Sequence, residues 1–201
     1  MDEKFNFIVD GLVKNDFTVV DGFLNDEEVQ RILAAEFSHG LSYFRPAGIS
    51  KQKQVETSIR SDYIRWIDPE EAHDAVRLYI ERLQQLITFL NRELFLSLKE
   101  PELHLTIYPP GSFYKRHLDQ FREDDHRKLS VICYLNHDWL EEQGGQLRLY
   151  LPEGHLDIWP EAGRLVCFRS DRIEHEVLPA TRERLSITGW ILDTWVALRH
   201  L

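Results

Sequence analysis

Apolar residues in the first hundred positions recur mostly at helical spacing, whereas from Leu103 onward they fall in short β-like runs, so helices are expected first and strands afterwards. Phe17 to Val20 reads as an early strand. Asn25 followed by Glu28 has capping-box spacing ahead of Val29, Ile32 and Leu33, which predicts a helix over about Asp26 to Phe37. A second helix is predicted to open at Asp68-Pro69-Glu70-Glu71, where a cap residue and a first-turn proline precede one apolar stripe: Ala72, Val76, Tyr79, Ile80, Leu83, Ile87, Leu90 and Leu94. Between the helices, Pro46 to Ser58 is polar and reads as an exposed, mobile loop leading into a strand over Ser58 to Trp66.

The second half predicts strands over Leu103–Tyr108, Leu129–Leu135, Gln146–Leu151, Arg164–Phe168, His175–Leu178 and Arg184–Leu192, with Pro-Pro-Gly, Gly-Gly, Pro-Glu-Gly and Ala-Gly as punctuation. Helices followed by many short strands imply an α+β fold: a jelly-roll barrel, or double-stranded β-helix, with N-terminal helices packed on one outer face. One domain over 1–201 is expected, with supporting elements in 1–100, the barrel core in 101–193 and a substrate loop at about 46–58. A chain of 201 residues, 43% hydrophobic with five Trp and eleven Phe, is large enough to bury such a core.

Charge narrows the function. A formal net charge of −10 disfavours a surface that tracks phosphates, so no nucleic acid is expected as partner. No run approaches the roughly 18 apolar residues of a membrane span, and Met1-Asp2-Glu3-Lys4 lacks a signal-peptide layout, so a cytoplasmic protein without membrane contact is expected. Cys133 and Cys167 each sit in an apolar run and read as reduced core thiols.

Candidate chemistry lies among the histidines. On a strand, His117 and Asp119 project to one face, and a distant histidine completes a two-His-one-carboxylate set suited to iron(II); His175, opening a later strand, is the candidate. The His-x-Asp signal is weak alone, because nine histidines in an acid-rich chain produce it about once by chance. A second copy at His155-Leu156-Asp157 is set aside, since a single strand-like run separates it from His175. His39, His73, His104, His126, His137 and His200 read as surface or hydrogen-bonded structural residues. Arg184 opens the last strand on a face shared with Ser186, Thr188 and Trp190, opposite Leu185, Ile187 and Ile191. A guanidinium there needs a carboxylate, supplied either by a ligand or by one of the 34 acidic residues, and Tyr134 could add a phenolic hydrogen bond.

Tyr114-Lys115-Arg116-His117-Leu118-Asp119, Cys133-Tyr134-Leu135-Asn136-His137-Asp138-Trp139, Gly144-Gly145-Gln146-Leu147-Arg148, Ser170-Asp171-Arg172 with His175-Glu176-Val177, and Arg184-Leu185-Ser186-Ile187-Thr188-Gly189-Trp190 together resemble the prolyl 4-hydroxylase branch of the Fe(II)/2-oxoglutarate-dependent oxygenases. The likeness is to the hypoxia-inducible-factor prolyl hydroxylases and their bacterial relatives acting on elongation factor Tu, and it spans roughly Ile59 to Asp193. It implies that His117, Asp119 and His175 bind Fe(II), that Arg184 holds the far carboxylate of 2-oxoglutarate with Tyr134 and Thr188, and that Tyr108, Leu147, Val177 and Trp190 line the pocket. It further implies hydroxylation of a prolyl C4 in a protein, with elongation factor Tu the favoured target. O2 is the second co-substrate, succinate and CO2 are released, and ascorbate serves as reductant. Arg60, Asp62 and Arg127 match substrate-cleft positions, with an Asp62–Arg127 pair expected, and the loop of residues 46–58 matches a segment that closes over the polypeptide. Two other readings remain: an oxygenase of a free amino acid or metabolite, and a non-enzymatic barrel that binds a carboxylate ligand or a partner through Lys51–Ser58.

Overall fold

The computed structural model describes residues 1–48, 56, 58–120 and 125–194. Three helices, α1 (Asp2–Asn15), α2 (Asp26–Glu36) and α3 (Asp74–Leu94), precede most of the strands. The strands are β1 (Phe17–Val20), β2 (Arg45–Pro46), β3 (Tyr63–Trp66), β4 (Pro101–Tyr108), β5 (Tyr114–His117), β6 (Arg127–Tyr134), β7 (Leu147–Leu151), β8 (Gly154–Ile158), β9 (Leu165–Arg169), β10 (Glu174–Val177) and β11 (Arg184–Leu192). They form a seven-stranded sheet in the order β1-β9-β6-β11-β4-β3-β2 and a four-stranded sheet in the order β5-β10-β7-β8, antiparallel throughout. The predicted jelly roll with helices on one outer face is the fold observed.

Strand alternation builds two cores. Leu103, Leu105 and Ile107 of β4, Val131 and Cys133 of β6, Leu165 and Cys167 of β9, and Ile187 and Ile191 of β11 face the helices, where they meet Ile8, Val29, Ile32, Tyr79, Leu83 and Leu90. Intervening residues face the smaller sheet: Tyr108, Ile132, Tyr134, Val166 and Phe168 pack toward Leu147, Leu149, Ile158 and Val177. Both thiols are free and buried, and burial pushes Cys167 up to about 12 and Cys133 higher still.

Several boundaries depart from the pattern-based expectation. Helix α1 falls outside the predicted elements, although Phe5, Ile8 and Leu12 supply its buried stripe. Helix α3 begins at Asp74 with His73 as N-cap, because Asp68 accepts from the Glu70 amide and closes a separate turn before the helix. The capping box of α2 forms as expected, with Asn25 and Glu28 exchanging 2.9 Å bonds. Strand β8 is a further addition to the predicted set; it is half exposed at the edge of the small sheet, where a short polar strand carries little alternation. The expected strand from Ser58 is regular only from Tyr63, preceded by an isolated bridge between Arg60 and Tyr114. Most of the predicted loop, residues 49–55 and 57, lies outside the described residues. Among the described residues no helix is long and apolar enough to cross a membrane.

Candidate metal centre and carboxylate pocket

His117 ends β5, and His175 on β10 is its register partner, so sheet pairing alone brings the two rings to a centroid distance of 4.2 Å. Asp119 lies two residues beyond the end of β5, so its orientation comes from tertiary bonds rather than from strand alternation as expected. Ser130 Oγ on β6 donates to Asp119 Oδ2 at 2.6 Å and contacts Ser170 Oγ at 2.9 Å, while Arg127 donates to the Asp119 carbonyl at 3.3 Å. The Asp119 carboxylate then stands 3.5 Å from His117 Nε2 and 3.6 Å from His175 Nε2. Donor atoms from the three residues all lie within 4.8 Å of one another.

Second contacts fix which ring nitrogens face inward. His117 Nδ1 is 2.7 Å from the Lys115 carbonyl and His175 Nδ1 is 3.2 Å from the Ile173 carbonyl, so each Nδ1 carries hydrogen and each Nε2 is the nitrogen turned toward Asp119. Burial pulls His175 down to about 4 against the opposing charge of Asp119, keeping it neutral. Burial works against ionisation of Asp119, but the two histidines and the Ser130 hydroxyl hold its carboxyl well below the usual range. Two imidazoles with Nε2 turned inward and one carboxylate make a facial donor set that suits iron(II) and leaves coordination positions open.

The three groups border a solvent-connected hollow, which also takes in Tyr108, Leu147, Val177, Arg184, Thr188 and Trp190. Arg184 is 1% exposed. Its Nε donates to the Gly145 carbonyl at 3.0 Å, and its guanidinium carbon lies 5.0 Å from the Tyr108 ring centre and 4.9 Å from that of Tyr134. Gly145 has φ +75°, and a Cβ there would come within 2.9 Å of Trp139 and Ala180, so this residue type lets the carbonyl reach the arginine. Arg184 Nη2 and the Tyr134 hydroxyl are both buried, and among the described residues neither finds a hydrogen-bond partner in good geometry. The internal acid that could have neutralised Arg184 does not appear among the described residues; a donor pair of this kind fits a carboxylate ligand. Thr188 bonds Ser186 at 3.0 Å.

The expected Asp62–Arg127 pair is replaced. Asp62 is fully buried and gives both oxygens to Arg60, at 2.8 and 2.6 Å, because the bridge to Tyr114 sets Arg60 beside it. Arg60 also covers the Tyr114 ring at 4.2 Å, and that ring stacks on His117 at 3.6 Å. Arg127 instead pairs with Glu102 at 3.5 Å and lies 3.3 Å over Trp190. The rejected second His-x-Asp copy sits on edge strand β8, with Asp157 held by Arg148 at 2.7 and 2.8 Å, a sufficient reason for its rejection. His104, read as structural, lines the hollow together with Thr106, Tyr114 and Ile132. The alternation of His104, Thr106 and Tyr108 against Leu103, Leu105 and Ile107 is the sequence signal that marks two of them.

Comparison with known proteins points the same way. Residues 103–192 match the family model of the 2OG-Fe(II) oxygenase superfamily. The chain is 34% identical to the hypoxia-inducible factor prolyl hydroxylase of Caenorhabditis elegans over 94% of its own length, but spans only 29% of that curated relative. A crystal structure of a Pseudomonas putida prolyl-4-hydroxylase superposes with TM-score 0.87 at 40% identity, covering 95% of this chain and 100% of that one. A prolyl hydroxylase from Trichoplax adhaerens, solved with a hypoxia-inducible-factor peptide, gives 0.86 at 30% identity over 96% and 90%.

Proposed function

Because the chain belongs to the prolyl 4-hydroxylase branch of the 2OG-Fe(II) oxygenases, we propose that it hydroxylates C4 of a prolyl residue in a protein, consuming 2-oxoglutarate and O2 and releasing succinate and CO2. The observation that carries this reading is the unsatisfied pair of Arg184 Nη2 and the Tyr134 hydroxyl, buried behind three converging metal-type donors. His117, Asp119 and His175 would hold iron(II), which with 2-oxoglutarate and O2 supplies the oxidising power for C–H hydroxylation; ascorbate is the matching reductant.

The protein's own part is binding and positioning. Arg184 would hold the distal carboxylate, and the Tyr134 hydroxyl, whose ring lies 4.9 Å from the guanidinium carbon, would donate to the same group. Ser130 and Arg127 keep Asp119 aimed at the two histidines. Leu147, Val177, Ile132 and Trp190 exclude bulk water, which strengthens each charged contact. Arg60, clamped by Asp62 and spread over Tyr114, stands beside His117, where a polypeptide would enter.

The target is a polypeptide on the strength of the prolyl-hydroxylase likeness, and elongation factor Tu is the first substrate to test. Purified protein with iron(II), 2-oxoglutarate, ascorbate and a host lysate should yield hydroxyproline on a discrete target by peptide mass spectrometry, and Arg184→Ala should abolish it. Succinate release with a free amino acid and none with polypeptide would instead assign a small-molecule oxygenase.

A further inference from the structure

The 2-oxoglutarate reading accounts for one end of the hollow and leaves unexplained polar groups at the other. His104 is 3% exposed, its Nδ1 is buried, and among the described residues no hydrogen bond reaches that nitrogen. Its ring packs against two indoles, 5.0 Å from Trp66 and 5.6 Å from Trp190, which are themselves 6.3 Å apart. Thr106 Oγ1 and Trp190 Nε1, on residues that line the same hollow, also lack a partner among the described residues. Burial, reinforced by the charges of Arg60 and Arg127, pulls His104 down to about 3 and keeps it neutral. A neutral imidazole has one donor and one acceptor nitrogen, and burying either without a partner carries a desolvation cost that a leucine would not incur.

Register fixes where this group stands. Arg184 is paired with Tyr108 and His104 with Thr188, so the two side chains enter the hollow about 13 Å apart along the strands. A ligand lying along β4 and β11 would meet Arg184 at one end and His104 at the other. His104 is nearly closed to bulk solvent yet borders the hollow, so a small ligand inside the hollow is better placed to reach the imidazole than a polypeptide backbone outside it.

We infer that His104 is a binding residue for the co-substrate: Nδ1–H donates to the 2-oxo acid end of 2-oxoglutarate while Arg184 holds the distal carboxylate. This rests on the 2-oxoglutarate reading of the pocket and adds a second anchor to it.

The test is calorimetric titration of 2-oxoglutarate into Mn(II)-loaded protein, where no turnover occurs, together with thermal unfolding of the metal-free protein. His104→Leu should weaken binding roughly 10- to 100-fold, the range expected for a lost hydrogen bond to a charged group. Its melting temperature should stay level or rise by about a few degrees, because an orphaned polar group leaves apolar surroundings. His104→Asn, which can offer an amide hydrogen near the Nδ1 position, should recover most of the affinity. Unchanged affinity in His104→Leu overturns the inference, and so does a joint loss of affinity and stability, which would make the residue structural. Arg184→Ala separates the two levels: if it abolishes binding while His104→Leu does not, only the second anchor fails, and if neither matters, the 2-oxoglutarate reading fails with it.

Discussion

At the scale of single residues, the site depends on groups whose partners the fold withholds. Arg184 is among the largest fully buried side chains, and its Nε is held by the Gly145 carbonyl. Arg184→Lys keeps the charge but loses the planar fork, so the KM for 2-oxoglutarate should rise roughly 10- to 100-fold in steady-state assays. Ser130 acts at one remove, through its 2.6 Å bond to Asp119. Ser130→Ala should lower metal affinity about 10- to 100-fold in a competition titration, while the protein stays folded. An unchanged metal affinity would mean that Asp119 is held by its backbone alone.

At the scale of elements, the inner strands set the spacing. Gly189 of β11 lies beside Leu103 of β4; a Cβ there would overlap the Glu102 carbonyl oxygen and come within 2.9 Å of Leu103 Cα. Gly189→Ala should therefore cost about 2 kcal/mol or more in urea unfolding, by pushing apart the two strands that carry Arg184 and His104. On edge strand β8, by contrast, the doublet His155→Ala, Asp157→Asn should leave metal binding untouched. Its carboxylate serves a cross-strand ion pair with Arg148 that contributes at most about 1 kcal/mol. Period-two runs make β4, β6, β9 and β11 legible in the sequence, since each has one face in the helix-side core and one toward the pocket. Strand β8 and the turn at Asp68 are illegible for the opposite reason: local polar chemistry there imitates or masks a different element.

Across the whole molecule, the metal-type triad is readable because two ligands are close in sequence and the third opens a strand, while the partners of Asp62 and Arg127 are not. Which acid meets which arginine is decided by how β3, β4 and β5 come together, and no spacing in the chain encodes it. His104 is hidden likewise, one histidine among nine until its neighbours place it in the hollow. Its folded-state value of about 3, against 6.5 when free, has a global consequence. The unfolded chain takes up that proton first, so this contribution to stability is intact above about pH 6.5 and is lost as pH falls toward 3. Unfolding of the metal-free protein near pH 5 should thus take up close to one more proton in the wild type than in His104→Leu, as read from the slope of stability against pH.

The central claim is that one hollow holds both a metal and a carboxylate gripped by Arg184. Anaerobic titration of the iron(II)-loaded protein with 2-oxoglutarate tests it, through the visible absorption that arises when a 2-oxo acid chelates iron(II). The band should saturate at one equivalent per chain, vanish in His175→Ala, and require far higher 2-oxoglutarate in Arg184→Ala. A wild-type protein with no band, or an Arg184→Ala variant that titrates like the wild type, would contradict the account.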